Sequence, residues 1–381
     1  MFHLQPIKAK QVLQIHPHVD GGWFWSKYSA QPYMGCSYGC TYCFLRANIY
    51  GLSKRNDSRN NFSKLIQYKI NSAEILDKEL ENAVPDIITL GDYQPAESGL
   101  HLSRKLLKIC LKHRFPVLIV VKSALVLQDL DIMQELAKKS WVGVVFSIAK
   151  SSSRNYRNFF EPNASTIERR FEAMRKINNA GIYTGISLMP VMPGINDNNQ
   201  ELKQIVKLTR ENGGQFVIGG GLTLLPGQKS IFYNSLKEYD LKLLEKYRKL
   251  YGNLEKPKNN HWAQIGRMIK NACIENGVDY RIKRFIPESH LKINKQISTE
   301  MFLKIYEMEL NEENLRKIWN FRRATWEIDE LKEPISFSHL SNLKNQSKDT
   351  KKLIEAKIKA FTPSQPQAVY KQHRHFDINH P

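Results

Sequence analysis

The sequence is poor in three things, and each narrows what the chain can be. It holds only five cysteines in 381 residues, and three of them fall in one short stretch. An odd, clustered set argues against the disulfide frameworks of small secreted domains and for a reducing compartment. Long apolar runs are missing as well. No uninterrupted stretch reaches the roughly 20 residues that a helix needs to cross a bilayer. The opening Met1-Phe2-His3-Leu4-Gln5-Pro6 carries no apolar core of a secretory leader. The expectation is a soluble, cytoplasmic protein with no membrane partner. Acidic residues are scarce: 37 Asp and Glu stand against 57 Lys and Arg, a net charge of +20. Such a surplus exceeds what solubility asks for and favours a polyanion such as nucleic acid.

What is present is concentrated in Gly35-Cys36-Ser37-Tyr38-Gly39-Cys40-Thr41-Tyr42-Cys43-Phe44. Thiolates bind soft metal centres, and clustered cysteines in a chain without disulfides read as a metal site. Three ligands are one short of a closed tetrahedral site. Zinc would need a nearby His or a distant Cys. A four-iron cluster, which usually takes four cysteines, would keep one iron open.

Around this loop, short apolar runs alternate with amphipathic stretches. Strands are expected at Ser29 to Met34, Asp86 to Leu90, Val117 to Val121, Trp141 to Ile148, Ile182 to Met189 and Gln215 to Ile218. Helices are expected between them at Lys69 to Glu81, Ala96 to His113, Asp129 to Lys138, Ser165 to Ala180 and Asp197 to Asn212. Nearly all-apolar strands separated by helices imply an α/β fold with a parallel sheet covered on both faces. Six βα units fit a partial, TIM-like barrel, with the cysteine loop at the C-terminal end of its first strand. The organisation expected is a lead-in (1–30), the barrel (31–225), a mainly helical C-terminal region (226–340) and a polar, Lys-rich tail (341–381). In the helical region, helices are expected at Leu236 to Tyr251, Trp262 to Asn276 and Thr299 to Lys332. Between them, Val278 to Ile286 alternates apolar and basic residues, as a half-exposed strand does. Its Tyr280, Arg281, Lys283, Arg284 and Phe285 resemble a nucleic-acid surface, where cations meet phosphate and rings stack on bases. The tail histidines His373, His375 and His380 lack acidic or Cys company, and the tail is expected to be poorly ordered.

The C-x3-C-x2-C spacing with Tyr42 just before the third cysteine resembles the signature of radical S-adenosylmethionine (SAM) enzymes. Further segments resemble one branch, the spore photoproduct lyase relatives or DNA repair photolyase-like proteins. These are Gly91-Asp92-Tyr93-Gln94-Pro95-Ala96-Glu97, Val121-Lys122-Ser123, Leu127-Gln128-Asp129-Leu130, Phe146-Ser147-Ile148, Glu161-Pro162 and Pro190 to Asp197, in family order from about residue 30 to 225. The resemblance implies a [4Fe–4S] cluster on Cys36, Cys40 and Cys43, whose open iron chelates SAM. A 5′-deoxyadenosyl radical then abstracts hydrogen from a substrate, with electrons from a donor such as flavodoxin or ferredoxin. It also places cofactor contacts. Lys122 suits the SAM carboxylate, Ser147 the ribose and Asp92 the amino group. Pro193-Gly194 suits close approach to the adenine, and Tyr42, with Phe44, the adenosine or the cluster.

The sequence departs from that branch in places. Spore photoproduct lyases use an extra cysteine near the second strand, where this chain reads Ile87-Ile88-Thr89-Leu90-Gly91-Asp92. The spare Cys110 and Cys273 sit among apolar residues at helical spacing and read as core. Asn163 stands where relatives carry Arg, and Phe44-Leu45-Arg46 where they often carry Tyr-Ala-Arg. Three functions stay open: a radical SAM enzyme acting on nucleic acid, one acting on a peptide or small molecule, and a non-catalytic nucleic-acid-binding protein with a structural metal.

Overall fold

The computed structural model describes residues 2–47, 62–91, 93–257, 261–342 and 348–361. The polar stretch 50–61 and the histidine-bearing tail from 362 onward lie outside the described residues, as does Asp92.

The described strands are, in chain order, β1 (His3–Ile7), β2 (Leu13–Ile15), β3 (Tyr28–Ala30), β4 (Tyr33–Met34), β5 (Leu65–Lys69), β6 (Ile88–Leu90), β7 (Val117–Val121), β8 (Val142–Ser147), β9 (Tyr183–Val191) and β10 (Val217–Gly221). Seven form one sheet in the order β10-β9-β8-β7-β6-β3-β2. From β3 to β10 each strand runs parallel to its neighbour, and only β2 is antiparallel, on β3. Six parallel strands in sequential order are the expected partial barrel, and every one falls within three residues of its expected start.

Alternation along the strands explains the two layers around the sheet. Successive side chains point to opposite faces. Ile88, Ile119, Val144 and Ile186 share a core with Leu106, Met133, Ile177 and Ile205 of the connecting helices. Their neighbours Ile87, Leu118 and Val145, with Ile218, face the other way and share a core with Ile297, Met301, Phe302 and Ile305. The concave face is thus filled by the helix Lys292–Leu310 of the C-terminal region, which packs along Leu315–Asp329.

Several local expectations change. The expected first strand, Ser29 to Met34, is split: Tyr28–Ala30 joins the barrel, while Tyr33–Met34 turns into a small sheet, β1-β5-β4. Strand β5 had no sequence signal, because its side chains are mostly half-buried and polar. The expected helix Ala96 to His113 is two helices, Glu97–Leu100 and Leu102–Lys112, divided at His101. The expected helix Leu236 to Tyr251 is also two, Gln228–Tyr239 and Leu241–Tyr251. Asp240 divides them, its carboxylate accepting from the backbone of Lys242 (2.8 Å) and Leu243 (3.2 Å).

The expected half-exposed basic strand at Val278 to Ile286 is not one. Only Asp279 makes a single parallel bridge, to Phe216. Arg281 is buried between the rings of Trp23 and Tyr306, and Ile282 is buried beside Trp25. Arg284 is buried on Asp329, at 2.6 Å. Arg281 and Arg284 thus face inward, held by distant partners, and only Lys283 stays exposed, paired with Asp279 at 2.9 Å, so the segment does not present the expected basic face. The tail expectation changes as well. Lys348–Phe361 is a helix, and its Ile354 and Ile358 are buried in the C-terminal core. Among the described residues, no helix is long and apolar enough to cross a membrane.

Candidate functional site: a cysteine loop over the strand ends

The cysteine loop begins at Gly35, whose φ of +86° belongs to the left-handed region. A Cβ there would stand 2.7 Å from the Leu65 carbonyl oxygen, so glycine is required on both counts. Side chains from four places then hold the loop's backbone. Gln94, fully buried, accepts from the Ser37 N–H at 3.0 Å and donates to the Gly35 carbonyl at 3.1 Å. Arg46 donates to the carbonyls of Cys40 (2.9 Å) and Gly39 (3.0 Å). Asn163 donates to the Ser37 carbonyl at 3.0 Å, and Gln228 to the Tyr42 carbonyl at 2.6 Å. The residue that stands in place of the family Arg is therefore a loop anchor.

The loop overhangs a cavity of about 460 Å3 at the C-terminal ends of the strands. Cys36, Cys40 and Cys43 all line it, with Lys122 from the end of β7 and Ser147 from the end of β8. The rest of the wall is mainly apolar, including Phe24, Val120, Met189 and Leu222. Inward alternation on neighbouring strands brings Ser147, Ser187 and Met189 to the same space.

Behind this wall sits a buried charge network. The carboxylate of Glu161, fully buried, accepts from the Tyr42 hydroxyl, from Arg170 Nη2 and, at 3.2 Å, from Lys122 Nζ. Lys122 also donates to Ser147 Oγ at 2.6 Å and to the Tyr42 hydroxyl at 3.0 Å. Arg170 is itself fixed by the carbonyls of Ser147 (2.9 Å) and Ser165 (2.7 Å). Burial pushes the Glu161 carboxyl up, but the Lys122 and Arg170 cations, with bonds from Arg170 and Tyr42, outweigh it and hold it at about 2. Two cations against one carboxylate leave a surplus positive charge beside the cysteines.

The donor set can be tested against a metal group. Burial raises the Cys40 thiol to about 12, so it ionises only together with a bound cation. Among the described residues, no three Cys, His, Asp or Glu side chains converge on a single ion. Three thiols spread around one cavity instead fit a multi-iron cluster, where each thiolate takes its own iron. The three thiols are one short of the four that such a cluster usually takes.

Of the residues expected from sequence, the cavity brings together Cys36, Cys40, Cys43, Tyr42, Lys122 and Ser147. Pro193 and Gly194 do not line it. They form the turn after β9, where the Gly194 N–H donates to Asp197 at 2.8 Å. Asp92 is outside the described residues, but Tyr93 and Gln94 beside it reach the wall. Cys110 and Cys273 are fully buried in the core, and burial raises both thiols to about 12. Sequence reasoning missed Glu161, Arg170, Gln94, Gln228 and Ser187. Glu161 and Gln94 lie inside segments that carried the family resemblance. No local pattern marks the others.

Residues 31–209 match the family model described as the Radical SAM superfamily. An uncharacterized protein of Mycobacterium tuberculosis is 27% identical over 59% of this chain and 67% of its own length. One of Methanocaldococcus jannaschii is 27% identical over 51% of this chain and 70% of its own. Among solved structures, Streptococcus suis SuiB bound to S-adenosylmethionine is similar over 58% of this chain, at 16% identity and a TM-score of 0.38. The similarity spans 47% of the SuiB chain. Residues 31–209, a little under half of the chain, are thus similar to the radical SAM superfamily, whose members use a [4Fe–4S] cluster and S-adenosylmethionine.

Proposed function

We propose that the chain is a radical SAM enzyme whose substrate is a nucleic acid, allied to the spore photoproduct lyase relatives. The observation that carries the enzyme reading is the convergence of Cys36, Cys40, Cys43, Lys122 and Ser147 on one cavity at the strand ends. In this reading the three cysteines hold a [4Fe–4S] cluster, and together with SAM that cluster supplies one-electron cleavage to a hydrogen-abstracting radical. The chain's own residues bind and orient. Lys122 and the surplus positive charge behind it suit the SAM carboxylate, Ser147 the ribose, Tyr42 the adenosine and Asp92 the amino group. The apolar wall excludes water from a radical. A reductant such as flavodoxin or ferredoxin feeds the site.

The nucleic-acid part rests on the net charge of +20. The resemblance to the repair branch rests on the segments from Gly91 to Asp197. The extra cysteine that branch uses near its second strand has no counterpart in Ile87 to Asp92, so the hydrogen donor differs here.

Anaerobic reconstitution is expected to give a brown protein that forms 5′-deoxyadenosine from SAM with dithionite, and Cys40→Ala is expected to form none. Equal release by the two proteins removes the enzyme reading. Affinity for DNA or RNA should fall steeply with salt, because phosphate contacts release counterions. No binding at low salt moves the substrate to a peptide or small molecule.

A further inference from the structure

The Glu161 network does more than neutralise a half-buried lysine. Its four members come from four parts of the fold. Tyr42 lies in the cysteine loop between Cys40 and Cys43, Lys122 just after β7, Glu161 in the loop before the helix Ile167–Asn179, and Arg170 on that helix. Glu161 and Arg170 do not line the cavity, whereas Tyr42 and Lys122 do. The Lys122 ammonium stands 5.2 Å from the centre of the Tyr42 ring. The same ammonium is 2.6 Å from Ser147 Oγ, so one carboxylate sets three wall groups in register.

We propose that Glu161 is a positioning residue that ties the cysteine loop to the strand-end cation, fixing Tyr42 and Lys122 relative to each other across the cofactor cavity. Arg170 completes the device. It takes one edge of the carboxylate and is itself locked by two backbone carbonyls. The other edge is left for Tyr42 and Lys122, both of which use Oε1. Without Glu161, the Tyr42 hydroxyl loses its acceptor and the flexible lysine stem loses its tether. Partners that orient groups in direct contact with a metal or ligand typically matter by 10–100-fold when removed.

This inference rests on the radical SAM reading, and the two fail differently. Glu161→Gln keeps the shape and removes one negative charge beside the cysteines. Tyr42→Phe breaks the same link from the other end at unchanged charge. All three proteins are reconstituted anaerobically. The readouts are iron and sulfide content, the cluster's midpoint potential, and SAM affinity followed by its effect on the spectrum of the reduced cluster. Both variants are expected to bind SAM on the order of tenfold more weakly. The potential is expected to rise in Glu161→Gln, where Lys122 and Arg170 are left uncompensated, and to stay near the parent in Tyr42→Phe. If the parent takes up no cluster or no SAM, the radical SAM reading fails. If the parent binds both and the variants keep its affinity, the positioning role is overturned. Should Glu161→Gln fail to fold, Tyr42→Phe decides alone: parental affinity in that variant overturns the role.

Discussion

At the scale of single residues, the site depends on side chains that hold the backbone of the cysteine loop. Gln94 is the clearest case. Its amide satisfies both the Ser37 N–H and the Gly35 carbonyl, and it is fully buried. Gln94→Ala strands these two groups, and each buried orphan costs about 1–3 kcal/mol. The expected outcome is a lower unfolding midpoint in denaturant and loss of iron from the reconstituted protein on gel filtration. Cys110→Ala serves as the contrast. Its sulfur lies in the core, away from the cavity, so iron content should match the parent while stability drops by about 1 kcal/mol. The convergence of the three loop cysteines on one cavity was legible at this scale because their spacing is local. Glu161 was not, because its partners Tyr42 and Lys122 lie 119 and 39 residues away, and no spacing rule spans such distances.

At the scale of elements, the six barrel strands were legible because each is a nearly pure apolar run with a helix on either side. Elements whose burial is decided by distant chain were misread. The segment Val278 to Ile286 alternates correctly for an exposed strand, yet Arg284 finds Asp329, 45 residues on, and Arg281 finds two aromatic rings. Arg281→Ala should therefore lower stability while leaving the salt slope of any nucleic-acid binding unchanged, which a titration at several salt concentrations checks.

Asp329 joins this segment to two helices through Arg284, Lys295 and Ser298. Burial raises its carboxyl, but Arg284 and Lys295 outweigh that and hold it at about 2. The folded value is below the unfolded one, about 3.9. The pair therefore contributes fully above roughly pH 4, and that contribution is lost as pH falls through about 2. Acid unfolding of the parent should lose on the order of 2 kcal/mol across this window. In Asp329→Asn that limb should flatten, on top of about 3–5 kcal/mol lost at neutral pH from leaving Arg284 buried and unpaired.

At the scale of the whole molecule, the barrel and the helical region are one structure. Ile87, Leu118, Val145 and Ile218 share a core with Ile297, Met301 and Phe302, and Trp25 of the lead-in packs on Phe302. A chain ending at residue 225 exposes that whole face. It is expected to be insoluble or to bind hydrophobic dyes strongly, where the full chain does neither, as sedimentation and dye fluorescence would show. Sequence periodicity gave both groups of elements but not this contact, since neither an apolar strand nor an amphipathic helix names its partner.

The filled concave face also orders events in time. On the ribosome, the cysteine loop and all six barrel strands emerge before Lys292–Leu310 is made. Until that helix arrives, one side of the sheet stays wet, and long-range packing of this kind completes only once the partner segment exists. The cysteine loop, at residues 35–44, thus sits at the ends of a sheet whose second face is covered only once residues 292–310 have been made.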